Sequence, residues 1–280
     1  MIVYFNGDYV PKAEVRISPD DRGFLMADGV YEVVAAVRGA WFRFDAHLDR
    51  LARSMREIKL RGVEADALEP VASELLRRNG LADTYAKLYV QITRGVAPRH
   101  HAFPHGSVEP TVYATVTSFE PPEDRWAAGV SAVTVPDTRW ARCDIKSIAL
   151  LPNVLASQAA AEAGAYEALF VRDGVVTEGS HTSALIVVGG EVLTHPGDPR
   201  ILPGVTRAWA MEACRDLDIP VREAEVAVED LPDAGEIMLL GTTSGVMPVV
   251  QVDGAPIGNG VPGAITRALQ DAFREAMGII

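Results

Sequence analysis

Arg142-Cys143-Asp144-Ile145-Lys146-Ser147-Ile148-Ala149-Leu150-Leu151-Pro152-Asn153 contains the only lysine after Lys87. The chain has 26 lysines and arginines together, and only Lys12, Lys59, Lys87 and Lys146 are lysines. A guanidinium stays protonated and cannot condense with a carbonyl, whereas an amine can, once burial or a neighbouring charge leaves part of it neutral. Lys146 is therefore a candidate nucleophile. The plainer reading is a strand-end lysine reaching solvent from an apolar neighbourhood.

Composition narrows the choices. At 280 residues and 48% hydrophobic, the chain can bury one large core or two modest ones, and two domains are expected. A formal charge of -12 argues against nucleic acid or an anionic membrane surface as partner. Residues Met1 to Asp8 show no basic segment leading into an apolar one, so no secretory signal is expected. The apolar-leaning run Ser147 to Val171 is broken by Pro152, Asn153, Gln158, Glu162 and Glu167, and reads as helix then strand and not as a membrane span. Cys143 and Cys214 are isolated, which suits free thiols in a reducing cytoplasm.

Outward from Lys146, periodicity assigns the elements. Asn6-Gly7 marks an opening hairpin, and Val30 to Val37 is a strand. Asp45 is the expected cap of a helix whose apolar face is Leu48, Leu51, Met55 and Ile58, with Arg50 and Arg53 on another face. A helix from near Pro70 to Asn79-Gly80 precedes strands at Tyr85 to Thr93 and Thr111 to Ser118. Between those strands, Arg94 to Gly106 is too long for a tight hairpin. It concentrates two arginines and three of the six histidines, as an anion-binding lid or a solvated basic loop would. No acidic or thiol partner stands at ligand spacing from His100, His101 and His105, so no metal is expected.

Glu120-Pro121-Pro122-Glu123-Asp124 breaks the pattern. The expected division is a small domain over 1–119, a linker over 120–128 and a larger domain over 129–280. The second part reads as strands at Val130 to Val135, Ala168 to Val171, Ser183 to Val188, Val221 to Val228, Glu236 to Leu240 and Val246 to Val252. Helices are expected from Pro152-Asn153, from Pro203-Gly204 through Leu217, and from Pro262 to Met277.

Three segments of this half suit a phosphorylated aromatic cofactor. Gly204-Val205-Thr206 opens a helix, where free N–H groups and the dipole favour an anion. Gly241-Thr242-Thr243-Ser244-Gly245 offers hydroxyls and amides between two strands. Glu178 follows Val175-Val176 and can pair with a protonated ring nitrogen. Taken singly, each is as well explained by a turn or a strand-end acid.

Together they carry a resemblance. Asp28-Gly29-Val30-Tyr31-Glu32-Val33, His47-Leu48-Asp49-Arg50-Leu51, Gln91 to Gly95, Lys146-Ser147, Leu151-Pro152-Asn153, Glu178-Gly179-Ser180, Ile201 to Arg207 and Thr242-Thr243-Ser244 resemble the fold-type IV pyridoxal-5'-phosphate aminotransferases, most closely the bacterial D-amino-acid group. The resemblance implies an α/β (α+β) fold, with a small N-terminal α/β domain and a larger C-terminal domain built on a barrel-like sheet. It further implies a cytoplasmic homodimer acting on amino acids and 2-oxo acids with ping-pong kinetics. By the same resemblance Lys146 carries pyridoxal 5'-phosphate through its amine and moves the Cα proton. Glu178 pairs with the ring nitrogen, Arg50 holds the phosphate with Val205, Thr206 and Thr242, and Leu202 packs on the ring. Tyr31, Arg99 and His101 match the group that binds the α-carboxylate in D-specific members. Ser180-His181-Thr182-Ser183 departs from the serine run ending in asparagine more usual there. The alternatives are a branched-chain L-amino-acid aminotransferase, an (R)-amine transaminase, an aminodeoxychorismate-lyase-like enzyme, and a non-catalytic coenzyme-binding domain.

Overall fold

A computed structural model describes residues 1–279, in two compact units. The first comprises Met1–Glu120 and Ile145–Ala149, and the second Pro121–Asp144 and the chain from Leu150 onward. Residues Glu123–Ala128, expected to be linker, are helical, and Ile145–Ala149, expected in the second domain, count with the first.

In the first unit β1 (Ile2–Phe5) and β2 (Asp8–Pro11) form the opening hairpin, its Asn6-Gly7 turn at φ 49° and 102°. A short α1 (Arg22–Met26), not foreseen from periodicity, precedes β3 (Gly29–Val37), β4 (Ala40–Trp41), α2 (Phe44–Glu57) and α3 (Leu68–Arg78). β5 (Tyr85–Thr93) and β6 (Thr111–Ser118) complete an antiparallel sheet in the order β2-β1-β6-β5-β3-β4. Alternation along β5 sends Ala86, Leu88, Val90 and Ile92 into a core shared with Leu48, Leu51 and Met55 of α2 and with Val71, Ala72 and Leu75 of α3. Arg43 occupies the N-cap position of α2, and Asp45 lies in the first turn, where its charge favours the helix start without capping it.

The second unit runs through α4 (Glu123–Ala128), β7 (Val130–Pro136), α5 (Leu151–Glu162), β8 (Glu167–Arg172), β9 (Val175–Gly179), β10 (Ser183–Val188), β11 (Glu191–Thr194) and α6 (Val205–Asp216). It continues with β12 (Val221–Glu223), β13 (Glu236–Gly241), β14 (Gly245–Val252), β15 (Ala255–Pro256) and α7 (Ala264–Ala276). The main strand order is β12-β11-β10-β13-β14-β7-β8-β9, with β15 beside β14. The expected strand over Val221 to Val228 stops at Glu223 because the chain changes partner. Val226 accepts a hydrogen bond from the Val176 N–H of β9 at 3.0 Å, and the Val228 N–H donates to Gly174 at 2.9 Å. The two edges of the sheet are thereby joined, which curls it into the barrel-like form.

Candidate active site

Lys146 owes its place to the open edge of β3. β4 covers only Ala36 and Val37 of that strand, and the stretch Ile145–Ala149 pairs with its beginning. The Tyr31 N–H donates to the Lys146 carbonyl at 3.0 Å, and the Ile148 N–H to Gly29 at 3.1 Å. Gly29 permits this approach, since a Cβ there would lie 2.7 Å from the Ile92 carbonyl and 3.0 Å from Ile148. The Lys146 N–H donates to Ser54 Oγ of α2 at 3.2 Å, and its half-buried ammonium lies 4.3 Å from the Tyr31 ring centre.

Beneath it, Glu32 is 1% exposed, on the face of β3 that packs on α2. Arg50 grips its carboxylate with two hydrogen bonds of 2.9 and 2.7 Å, and His47 Nδ1 lies 3.0 Å from it. Burial alone would raise the Glu32 pKa, but Arg50 and His47 hold it far below the usual carboxylate range. Burial pushes His47 down, and although Glu32 acts the other way, Arg50 and Lys146 add to the lowering, which favours the neutral imidazole. An ionised Glu32 only accepts, so Nδ1 carries the proton, and the buried Nε2 has no hydrogen-bond partner. Arg50, expected on a basic edge, is thus a buried side chain at 8% exposure.

Glu32→Gln keeps the shape and removes the charge, and should lower stability by about 1–3 kcal/mol, or roughly 5 °C in melting temperature. A carboxyl with a depressed folded pKa stabilises above its unfolded value, and loses that contribution as pH falls towards the folded one. Wild type should therefore lose an increment of stability below about pH 5 that the variant lacks, read from thermal melts across that range.

In the second unit Glu178 lies next to the end of β9 at 5% exposure. Its carboxylate is bonded to Arg139 and accepts the Leu202 N–H at 3.2 and 3.1 Å. Asp137 in turn holds Arg139 through bonds of 2.9 Å from Nε and Nη2, and also pairs with Arg172 at 2.9 Å. Burial by itself would lower the Arg139 pKa, but Asp137 and Glu178 raise it above its ordinary value, so the cation is permanent. Arg139 and Asp137 are not legible in the sequence as site residues, because nothing in Pro136-Asp137-Thr138-Arg139 departs from an ordinary strand exit.

The two expected anion elements converge on consecutive residues. Gly204, the N-cap of α6, approaches Ser183 so closely that a Cβ would sit 2.5 Å from its Oγ, and Gly241 faces Thr182 and Ser244. No side chain caps α6, whose first residues Val205 and Thr206 are buried, and Thr242 lies in the β13–β14 turn beside Ser244. A buried ionised acid backed by a cation, an uncapped helix start and a hydroxyl-bearing turn fit a protonated ring nitrogen and a phosphate, so the donor set suits pyridoxal 5'-phosphate. The departure at 180–182 has its own account. Ser180 and Thr182 hydroxyls donate to buried Glu167 at 2.5 and 3.0 Å, and His181 Nδ1 lies 2.9 Å from the same carboxylate.

Arg99 and His101 are exposed on the 94–110 loop. Arg94, counted with them as a loop cation, is committed elsewhere. It makes a two-bond pair with Asp28 at 2.8 and 2.9 Å and donates to the carbonyls of Ile58 and Lys59. Among the described residues, no group of three or more His, Cys, Asp or Glu side chains is placed to hold a metal ion.

A family model for class IV amino-transferases matches residues 29–252. The D-alanine aminotransferase of Staphylococcus haemolyticus is 40% identical over 274 residues, covering 98% of this chain and 96% of its own. Among solved structures, the branched-chain amino acid aminotransferase of Escherichia coli superposes with a TM-score of 0.91 at 24% identity, over 98% of this chain and 93% of its own. A hypothetical aminotransferase from Mycobacterium tuberculosis in a PLP-bound form does so at 0.86 and 24%, over 99% of both chains.

Proposed function

The chain belongs to the class IV aminotransferases, and from that premise we propose that it moves the amino group of D-amino acids of the D-alanine type to 2-oxoglutarate, giving pyruvate and D-glutamate. The observation that carries this reading is Lys146, the one lysine of the second half, tied to the edge of β3 with its amine over Tyr31.

Pyridoxal 5'-phosphate, when bound, supplies a carbonyl for the amino group and an electron-poor ring for the electron pair left at Cα. Lys146 is the residue that would hold it, and its Nζ would carry the proton from Cα to the coenzyme in the first half-reaction and from the coenzyme to Cα in the second. Glu178, paired with Arg139, would serve the ring nitrogen, and Leu202 would pack on the ring. By the family resemblance, Arg50, Val205, Thr206 and Thr242 would hold the phosphate. Tyr31, Arg99 and His101 receive the substrate carboxylate, and Arg99 suits that task because its planar fork matches two oxygens at once. The exposed position of Arg99 and His101 suits a homodimer in which one protomer's loop serves its partner. Two free cysteines, and the lack of any helix among the described residues long and apolar enough to cross a membrane, accord with a cytoplasmic enzyme.

Purified enzyme should form pyruvate and D-glutamate from D-alanine and 2-oxoglutarate, and leave L-leucine untouched. The branched-chain relatives share the fold at 24% identity, so amine transfer from L-leucine in place of D-alanine would move the chain to their group. Arg99→Ala should raise the KM for D-alanine by about tenfold or more. An unchanged KM would remove the carboxylate assignment.

A further inference from the structure

Arg22 is 2% exposed, on the short helix α1, and none of the motifs that suggest the chemistry includes it. Its Nε donates to Asp28 at 2.8 Å and its Nη1 to the backbone carbonyl of His100 at 2.6 Å. His100 stands between Arg99 and His101, while Asp28 directly precedes β3, on which Tyr31 lies. One guanidinium therefore bridges the start of the Tyr31 strand and the loop that presents the two carboxylate-binding candidates.

The surroundings make that bridge rigid. The Arg22 N–H donates to Gly95 at 3.0 Å, and the Ala97 N–H donates to Asp20 at 3.3 Å, which fixes the loop's beginning on α1. Asp21 caps α1 through the Gly23 N–H and takes the Thr93 and Thr111 hydroxyls at 2.9 and 2.6 Å, tying both ends of the loop to the same turn. Arg94 grips Asp28 from the other side, and its guanidinium carbon lies 3.8 Å from the centre of the Phe103 ring. Between these anchors, Arg22 is the side chain that bonds the backbone of the 99–101 stretch.

We infer that Arg22 is a positioning residue for substrate binding: through the His100 carbonyl it sets the loop conformation in which Arg99 and His101 take the amino-acid carboxylate. The inference rests on the carboxylate assignment above. A lysine in place of Arg22 keeps a buried cation for Asp28 but cannot span Asp28 and His100 in the same fork geometry. Asp28 retains Arg94 in either variant, so the fold is not left with an unpaired buried acid.

The test uses holoenzyme of wild type, Arg22→Lys, Arg22→Met and Arg99→Ala, with D-alanine as substrate and a separate titration of coenzyme affinity. Both Arg22 variants should raise the KM for D-alanine by about tenfold or more, the methionine more than the lysine, with kcat within about threefold and coenzyme affinity unchanged. A merely structural loss would pull down kcat and coenzyme affinity in parallel with KM, and that result overturns the inference. So does a KM within twofold of wild type in Arg22→Lys when Arg99→Ala raises it. If Arg99→Ala also leaves KM unchanged, the carboxylate assignment itself has failed, and the role of Arg22 falls with it.

Discussion

Lys146→Ala is expected to lower turnover of D-alanine by about 10⁴-fold, because on the proposed assignment one side chain would supply both the attachment point for the coenzyme and the base for the Cα proton. Lys146→Arg should be nearly as damaging. It keeps the charge over Tyr31, but a guanidinium neither gives up its proton nor forms the attachment. Melting temperature separates this from misfolding. The segment is held by backbone bonds to Gly29, Tyr31 and Ser54, none of which involves the amine, so the substitution should change stability by only about 1 kcal/mol. Turnover in Lys146→Ala within tenfold of wild type would place the proton transfer on another group.

Arg139→Met should have the largest effect on stability. Arg139 lies between two buried carboxylates, Asp137 and Glu178, and while Arg172 still serves Asp137 in the variant, Glu178 loses its guanidinium partner. Removing one partner of a buried pair costs about 3–5 kcal/mol, since the remaining charge is stranded without water or counter-ion. Melting temperature should fall by roughly 10 °C, and coenzyme affinity should fall with it as the Glu178 carboxylate loses its fixed orientation. Arg139→Met with Glu178→Met removes both charges, and should regain much of the lost stability while leaving the enzyme inactive. If the single variant melts like wild type, the pair contributes little to stability.

Much of the candidate site is legible in the amino-acid sequence. Lys146 stands out through lysine usage, Glu178 through its place after a strand, and Gly204 and Gly241 through turn chemistry beside a helix start. These are local signals: a residue type matched to a backbone conformation within a few positions. The strands β5, β6 and β10 are legible for the same reason, since a period of two in apolar residues is written in consecutive positions.

Charge pairing between distant segments leaves no such trace. Arg50 reads as part of a basic helix edge, and only its fold-given neighbour Glu32, 18 residues away, makes it a buried side chain. Arg139 and Asp137 look like an ordinary strand exit until β9 brings Glu178 against them, and Arg22 acquires its place through a carbonyl 78 residues distant. The sequence by itself determined the family and most of the strands and helices, and it offered candidates for the chemistry, because a reactive amine, an acid and an anion-binding turn are properties of short stretches. Tertiary structure alone decided which guanidinium answers which carboxylate. A buried charge needs a partner wherever the fold supplies one, and that partner is chosen by three-dimensional proximity, not by spacing along the chain.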